Sequence, residues 1–309
     1  EHDHVFVLHR PATLHPDEKG RNQNPPTNRC CVSAPPVIEY DANGNTVRGW
    51  GGPAQNNEGY DWPKQEHGIH VDSKGFVWIS GNDAADHHLL KFTRDGKFVM
   101  QIGKPGKSGG SNSRTQLGAP AAIESDDAAS EIYVGDGYIN RRVLVFDAAT
   151  GAYKRHWGAY GATPDDGKVP PYKPGATPSK QFGNPHCVRR ARDGLLYVCD
   201  RPNNRIQVFE TSGKFLREFF IEAQTLSGPL ADIAISRDAA QRFLMVADGT
   251  NSEVYILARE DGKKLGAFGR PGRQPGEFRN IHNIAIDSKG NLYTAEAGFG
   301  RRVQRFTLH

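Results

Sequence analysis

No apolar stretch in the 309-residue chain approaches 18 residues, so no segment reads as a membrane-spanning helix. There is also no block of five or more consecutive Lys or Arg. The 39 basic residues are dispersed among 35 acidic ones and leave a net charge of +4, which argues against a nucleic-acid-binding tail. Cysteine is scarce. Cys30, Cys31, Cys187 and Cys199 show no paired C-x2-C spacing, so no zinc knuckle is read from them. Adjacent Cys30 and Cys31 are not expected to bridge each other, and cysteine usage leaves the redox compartment open. The chain shows no secretory leader and no initiator Met. Its opening at Glu1 reads as a trimmed or processed start, and a secreted or periplasmic location is the expectation.

Turn residues are abundant instead. Gly 35 and Pro 20 make up 55 of the 309 residues, about 18%, against roughly 12% in average chains. Apolar residues at 37% still suffice for a large core. Many short strands joined by Gly/Pro turns fit this balance, and a helical bundle does not. An all-β fold of this length often forms one domain, so residues 1–309 are read as one.

An internal repeat gives the strands an arrangement. Segment 67–103 shows it whole: Gly68-Ile69-His70-Val71, a Ser73-Lys74-Gly75 turn, Phe76-Val77-Trp78-Ile79, His88-Leu89-Leu90-Lys91-Phe92 and Phe98-Val99-Met100-Gln101-Ile102. Further copies start at Ala121, His186, Leu230 and His282, the last ending near Leu308 after three strands. Residues alternate with period two in strands of four to six residues, four strands per repeat of roughly 40–55 residues, which is the signature of a β-propeller blade. Val5-Phe6-Val7-Leu8, Val37-Ile38-Glu39-Tyr40 and Val47-Arg48-Gly49-Trp50 supply three strands of one more blade. The prediction is an all-β, six-bladed propeller. Its first blade lacks the inner strand and its last lacks the outer one, so upstream residues or a non-standard closure are expected there. Pro11 to Pro36 and Pro164 to Pro178 read as loops.

Aligning the repeats places His67, His186 and His282 at the first residue of every second inner strand, where the third and fifth blades have Pro120-Ala121 and Leu230-Ala231. In a six-bladed ring these positions lie roughly 120° apart around the channel. Three imidazoles converging there would make an open zinc-type site. The competing explanation is a repeat-consensus histidine satisfied by the channel, which should recur in all blades. His70, His87 and His88 read as surface or turn residues. His2, His4, His9 and His15 cluster near the N-terminus, where a second metal site is a minor alternative. Tyr138, in Asp136-Gly137-Tyr138-Ile139-Asn140, follows a second strand and should lie on the histidine face, where a nearby metal can lower a phenol pKa for proton transfer. A packing tyrosine is the alternative. Arg201 and Arg10 occupy equivalent links and suit a substrate carboxylate, unless they serve salt bridges between blades.

With these motifs in hand, the chain resembles the peptidyl-α-hydroxyglycine α-amidating lyase group and its NHL repeats, over nearly its full length. The resemblance rests on His67-Gly68-Ile69, Asp136-Gly137-Tyr138-x-Asn140-x-Arg142, Pro185-His186, Asp200-Arg201-x-x-Asn204-Arg205, Ile281-His282-Asn283 and Val7-Leu8-His9-Arg10. It implies catalytic Zn2+ on His67, His186 and His282, although another divalent metal would fit such a site. It also implies Tyr138 as base, Arg10 and Arg201 on the substrate carboxylate with Asn140 as a further substrate contact, and cleavage of a carbinolamide to an amide and glyoxylate. The family's structural Ca2+ maps onto Ile69 and Asn283, where Asn stands in place of the family's acid. The expected partner is a small-molecule or peptide substrate with a carboxylate, with no nucleic acid or membrane and the chain a monomer. Two other functions remain: a metal-dependent ester or lactone hydrolase using the same site, and a non-catalytic NHL scaffold, for which three axial histidines would be superfluous.

Overall fold

Period-two alternation becomes 22 strands in a computed structural model of the chain, which describes residues 3–54 and 59–307. They form six antiparallel sheets. The first holds β1 (Val5–Leu8), β2 (Val37–Tyr40) and β3 (Thr46–Trp50), and the second β4 (Glu66–Val71), β5 (Val77–Gly81), β6 (His88–Phe92) and β7 (Phe98–Gly103). The third holds β8 (Ala122–Asp126), β9 (Glu131–Asp136), β10 (Arg142–Asp147) and β11 (Tyr153–Trp157). The fourth holds β12 (Pro185–Arg190), β13 (Leu196–Asp200), β14 (Arg205–Phe209) and β15 (Phe215–Phe220). The fifth holds β16 (Leu230–Ile235), β17 (Phe243–Asp248), β18 (Glu253–Ala258) and β19 (Lys264–Phe268), and the sixth β20 (Ile281–Ile286), β21 (Leu292–Glu296) and β22 (Val303–Phe306). Inner strands β4, β8, β12, β16 and β20 pack side by side around one axis, so the sheets are the blades of a six-bladed propeller. The first and sixth sheets have three strands each among the described residues, as the repeat count predicts. His2 and the expected endpoint near Leu308 lie outside the described residues.

The core is a set of wedges between neighbouring sheets. Between the fourth and fifth, Tyr197, Ile206, Val208, Ile233 and Leu244 are buried together. Burial of each such aliphatic side chain contributes about 1.5–3 kcal/mol. Glycine completes the tight turns: Gly75 takes φ +83°, and its N–H donates to Asp72 O at 2.9 Å. The first and sixth sheets are tied at their rims by Asp3 with Ser288, by Glu18 with Arg301, and by Arg305 donating to Ala42 O. A cavity of about 1160 Å³ opens between those two sheets and reaches the axis. Of the two expected loops, only the first differs in detail. Residues Pro11–Thr13 and Pro16–Asn22 form short 3-10 helices inside the first, while 164–178 is irregular.

Cysteine pairing departs from expectation at one place. Cys187 and Cys199 face each other across β12 and β13 and are joined, while Cys30 and Cys31, expected not to bridge, are paired with each other across a cis peptide in an exposed loop. No helix among the described residues is long and apolar enough to cross a membrane.

Candidate metal centre

Each of the three histidines sits at an interruption in its ladder. Glu66 pairs with Gly81 and Gly68 with Ser80, leaving His67 unpaired between them. His186 falls between the Pro185–Asp200 and Cys187–Cys199 pairs, and His282 between Ile281–Glu296 and Asn283–Ala295. A residue added to one strand this way bends the backbone and re-aims its side chain. Here the bulges turn alternate blades' imidazoles toward the axis. Gly68 is needed beside the first of them, because a Cβ there would lie 2.5 Å from Ser80 Oγ and 3.0 Å from Ala121 O.

Ring centroids of the three imidazoles are 4.8 to 5.2 Å apart, and the ligand nitrogens all lie within 4.8 Å of one another. Among the described residues this is the one group of three or more His, Cys, Asp or Glu placed to hold a metal. Among the described residues, the N-terminal histidines do not converge, His2 lying outside them. His4 pairs with Glu39, His9 with Pro35 O, and His15 caps the 3-10 helix that follows it. His87 and His88 are buried rather than on the surface, and His88 Nε2 is 2.6 Å from Asp61 O. His70 is half-buried in the channel against Ser125 Oγ. These rings sit inside because the blades leave room for them, and a histidine's sequence neighbours do not reveal that.

Protonation and orientation at the axis suit metal ligation. His67 Nδ1 lies 2.9 Å from Ala121 O and His186 Nδ1 2.6 Å from Ala231 O, each a backbone carbonyl of the next blade. A carbonyl only accepts, so both Nδ1 atoms carry the ring proton and both Nε2 lone pairs face the axis. Burial, reinforced by neighbouring imidazoles, holds His67 and His186 well below the ordinary histidine pKa of 6.5, and burial lowers His282 as well. The rings are therefore neutral at neutral pH. Tyr138 OH is 2.8 Å from His67 Nε2 and 3.0 Å from His186 Nε2. That hydroxyl has one proton to offer and faces two lone pairs. The donor set is short of positive charge, which a divalent cation would supply, so the three histidines could hold a metal.

Burial raises the Tyr138 phenol pKa, opposed by Arg201, a hydrogen bond with Asn82 and Arg10. The polypeptide alone thus pushes it in the opposite direction from the metal effect anticipated from sequence. Arg10 and Arg201 both line the cavity. Arg10 Nε donates to Glu66 O at 2.5 Å and its NH2 to Asn82 Oδ1 at 3.1 Å, while Arg201 Nε donates to Gly228 O at 3.1 Å with NH1 3.5 Å from His186 Nε2. Asn82 was not singled out from sequence. Its signal is its place, directly after a second strand, as with Tyr138 and Arg201.

Asn140 does not reach the cavity, contrary to its expected place at the substrate. It is 1% exposed, donates to Asp136 Oδ2 at 2.8 Å and accepts from Ser108 Oγ at 2.8 Å. Asp136 also binds Arg142 Nε at 2.9 Å and Gly118 N–H at 2.7 Å. The next blade repeats the clamp, with Asp200 bound to Arg205, Asn203 and Gly183 N–H. An acid closing the second strand and an Arg opening the third thus hold the short links that carry Tyr138 and Arg201. Asn140 belongs to that clamp because its link turns inward to the acid. The two calcium positions are occupied by contacts within and between the blades. Ile69 pairs with Ile79, and the Asn283 carboxamide is engaged by His282 and Asp232.

Residues 182–209 match the NHL repeat family. Human NHL repeat-containing protein 3 is 27% identical over 282 residues, 88% of this chain and 72% of that protein. Peptidyl-alpha-hydroxyglycine alpha-amidating lyase 2 of Drosophila melanogaster is 26% identical over 244 residues, 77% of this chain and 53% of that protein, so the chain spans about half of its length. The chain carries an NHL repeat, folds as a six-bladed propeller and is similar in sequence to proteins named as amidating lyases. A solved streptogramin B lyase structure superimposes with a TM-score of 0.53 at 14% identity, covering 88% of this chain and 76% of that one, and shares the fold.

Proposed function

We propose that this propeller is a metal-dependent lyase that cleaves peptidyl-α-hydroxyglycine-type carbinolamides to an amide and glyoxylate, with zinc as the metal. The observation that carries the reading is the Tyr138 hydroxyl at 2.8 and 3.0 Å from two of three converging histidine nitrogens, on a cavity also lined by Arg10 and Arg201. A fly relative named for this lyase activity supports the substrate class.

His67, His186 and His282 would hold the ion, which when bound supplies Lewis acidity at the substrate hydroxyl. Arg10 and Arg201 bind the carboxylate and orient the hydroxyl-bearing carbon toward Tyr138. Tyr138 would act as its phenolate, which a cation held by the three histidines would favour over the phenol, and in that form its oxygen accepts the hydroxyl proton. The C–O bond gains its second bond as the C–N bond breaks, and the proton is passed to the leaving nitrogen, giving an amide and glyoxylate with atoms in balance. Asn82, bonded to Arg10, stands beside the phenol and helps to hold both.

Metal analysis joined to an assay of glyoxylate release from an α-hydroxyhippurate-type substrate tests the reading. Stoichiometric metal that is lost in His186→Ala, together with release of glyoxylate, is the expected result. Turnover of esters or lactones without carbinolamide cleavage would replace it with a hydrolase. Stable metal-free protein without turnover of either kind would leave a binding scaffold.

A further inference from the structure

His67 and His186 take their orienting carbonyls from the inner strand of the following blade. The blade that follows the sixth is the first, which has no strand inside β1 among the described residues. His282 therefore has no equivalent carbonyl within the described fold, and its Nδ1 lies 3.1 Å from the side-chain oxygen of Asn283. A carboxamide can present oxygen or nitrogen with nearly the same shape, so what fixes its orientation must lie on its other side. There, Asn283 Nδ2 is 3.4 Å from Asp232 Oδ2.

We propose that Asn283 is the positioning residue of His282, and that Asp232, anchored by Arg189, decides which way its amide faces. Hydrogen-bond polarity alone decides the orientation. A carboxylate only accepts, so the amide must turn NH2 toward Asp232 and its oxygen toward His282. That oxygen only accepts, so the single proton of the neutral ring sits on Nδ1. The Nε2 lone pair is then left for the axis, matching the other two histidines. Asp232 has little freedom to act otherwise. It is 2% exposed and paired with Arg189 NH2 at 2.7 Å. It also accepts from the N–H of Ile233 at 2.9 Å and of Ile284 at 3.2 Å. Arg189 is itself held by Ile233 O at 3.1 Å and Val188 O at 2.9 Å. A largely buried ion pair, acting through Asn283, thus selects the tautomer of the third ligand. The opposite tautomer would place a proton where the metal binds.

The inference rests on the metal-site reading above, and two readouts separate their failures. In metal-free protein with 15N-labelled histidine, long-range 1H–15N correlation is expected to show His282 protonated on Nδ1. In Asn283→Leu that signature is expected to disappear, and Co2+ and Zn2+ affinity, measured against a chromophoric chelator, to fall about 10- to 100-fold, the usual effect of removing such a partner. Asp232→Asn should move both readouts the same way by a smaller factor, because the amide then has no preferred face. The exchange N283D/D232N keeps one acid and one amide in contact and is expected to recover most of the affinity lost in N283L. Thermal unfolding reports whether each variant is folded, and D232N carries the test if N283L is not. An Nδ1-protonated His282 with metal affinity within twofold of wild type in folded N283L or D232N would overturn the proposal. Wild-type protein that binds neither ion would instead overturn the metal reading, and the tautomer signal would still decide the role of Asn283.

Discussion

Replacing Tyr138 by Phe removes one oxygen from the centre of the site, and the structure gives that change two opposite consequences. The hydroxyl lies 2.8 Å from His67 Nε2 and 3.0 Å from His186 Nε2, with one proton to share between two lone pairs. In the metal-free protein it therefore competes for nitrogens that a metal would use. A net hydrogen bond contributes about 0.5–1.5 kcal/mol, so Y138F should bind Zn2+ or Co2+ about two- to tenfold more tightly than wild type. The same oxygen is the proposed proton acceptor. Its loss should lower kcat for glyoxylate release about 10²- to 10⁴-fold in metal-saturated enzyme, with KM little changed because Arg10 and Arg201 remain. The assay pairs chelator competition for the metal with steady-state kinetics at saturating metal. Metal affinity that falls more than tenfold in folded Y138F would show that the phenol helps hold the ion. A kcat within threefold of wild type would show that it is not the base. Either result refutes the role drawn from these two distances.

Arg10→Met and Arg201→Met should each raise KM for a carboxylate-bearing substrate about 10- to 100-fold, and should do so far less for its carboxamide analogue, as steady-state kinetics on the pair would show. Asn140→Ala should lower stability by about 1–3 kcal/mol in chemical denaturation, by removing a partner from the buried Asp136 carboxylate and from the half-buried Ser108 hydroxyl, while leaving KM within twofold. Burial holds His67 and His186 below the ordinary value of 6.5, so on acidification the unfolded chain takes up these protons first. Stability of the metal-free protein is therefore complete above about pH 6.5 and is lost as pH falls below it, by up to about 1.4 kcal/mol per unit for each histidine. His70 and His88 are lowered by burial too and add to the slope, so the comparison with H67A/H186A, which should be flatter between pH 6.5 and 5, isolates the site.

The blades were legible because short apolar runs bounded by turn residues recur along the chain, so Val143-Leu144-Val145-Phe146 or Leu196-Tyr197-Val198-Cys199 announces itself in linear order. The histidines were legible because repetition supplies a register: the same offset in every second repeat is the same place around an axis. The clamps were only half legible. Asp136, Asn140 and Arg142 form a recognisable pattern, but whether Asn140 faces a substrate or its own loop's acid depends on how the link folds back. Asn82 went unnoticed because it carries no motif, only a position.

Sequence by itself determined the six repeats, the alternation that makes each a sheet, and the three axial histidines, since all of these follow from spacing along the chain. Only the tertiary structure decided how those histidines are turned and which nitrogen each presents. Bulge geometry aims the rings, and their Nδ1 partners are Ala121, Ala231 and Asn283, two of them some 45 to 54 residues away in the next blade. Hydrogen-bond polarity is set by whichever groups the ring of sheets brings into contact, and spacing along one chain does not encode contacts between neighbouring blades.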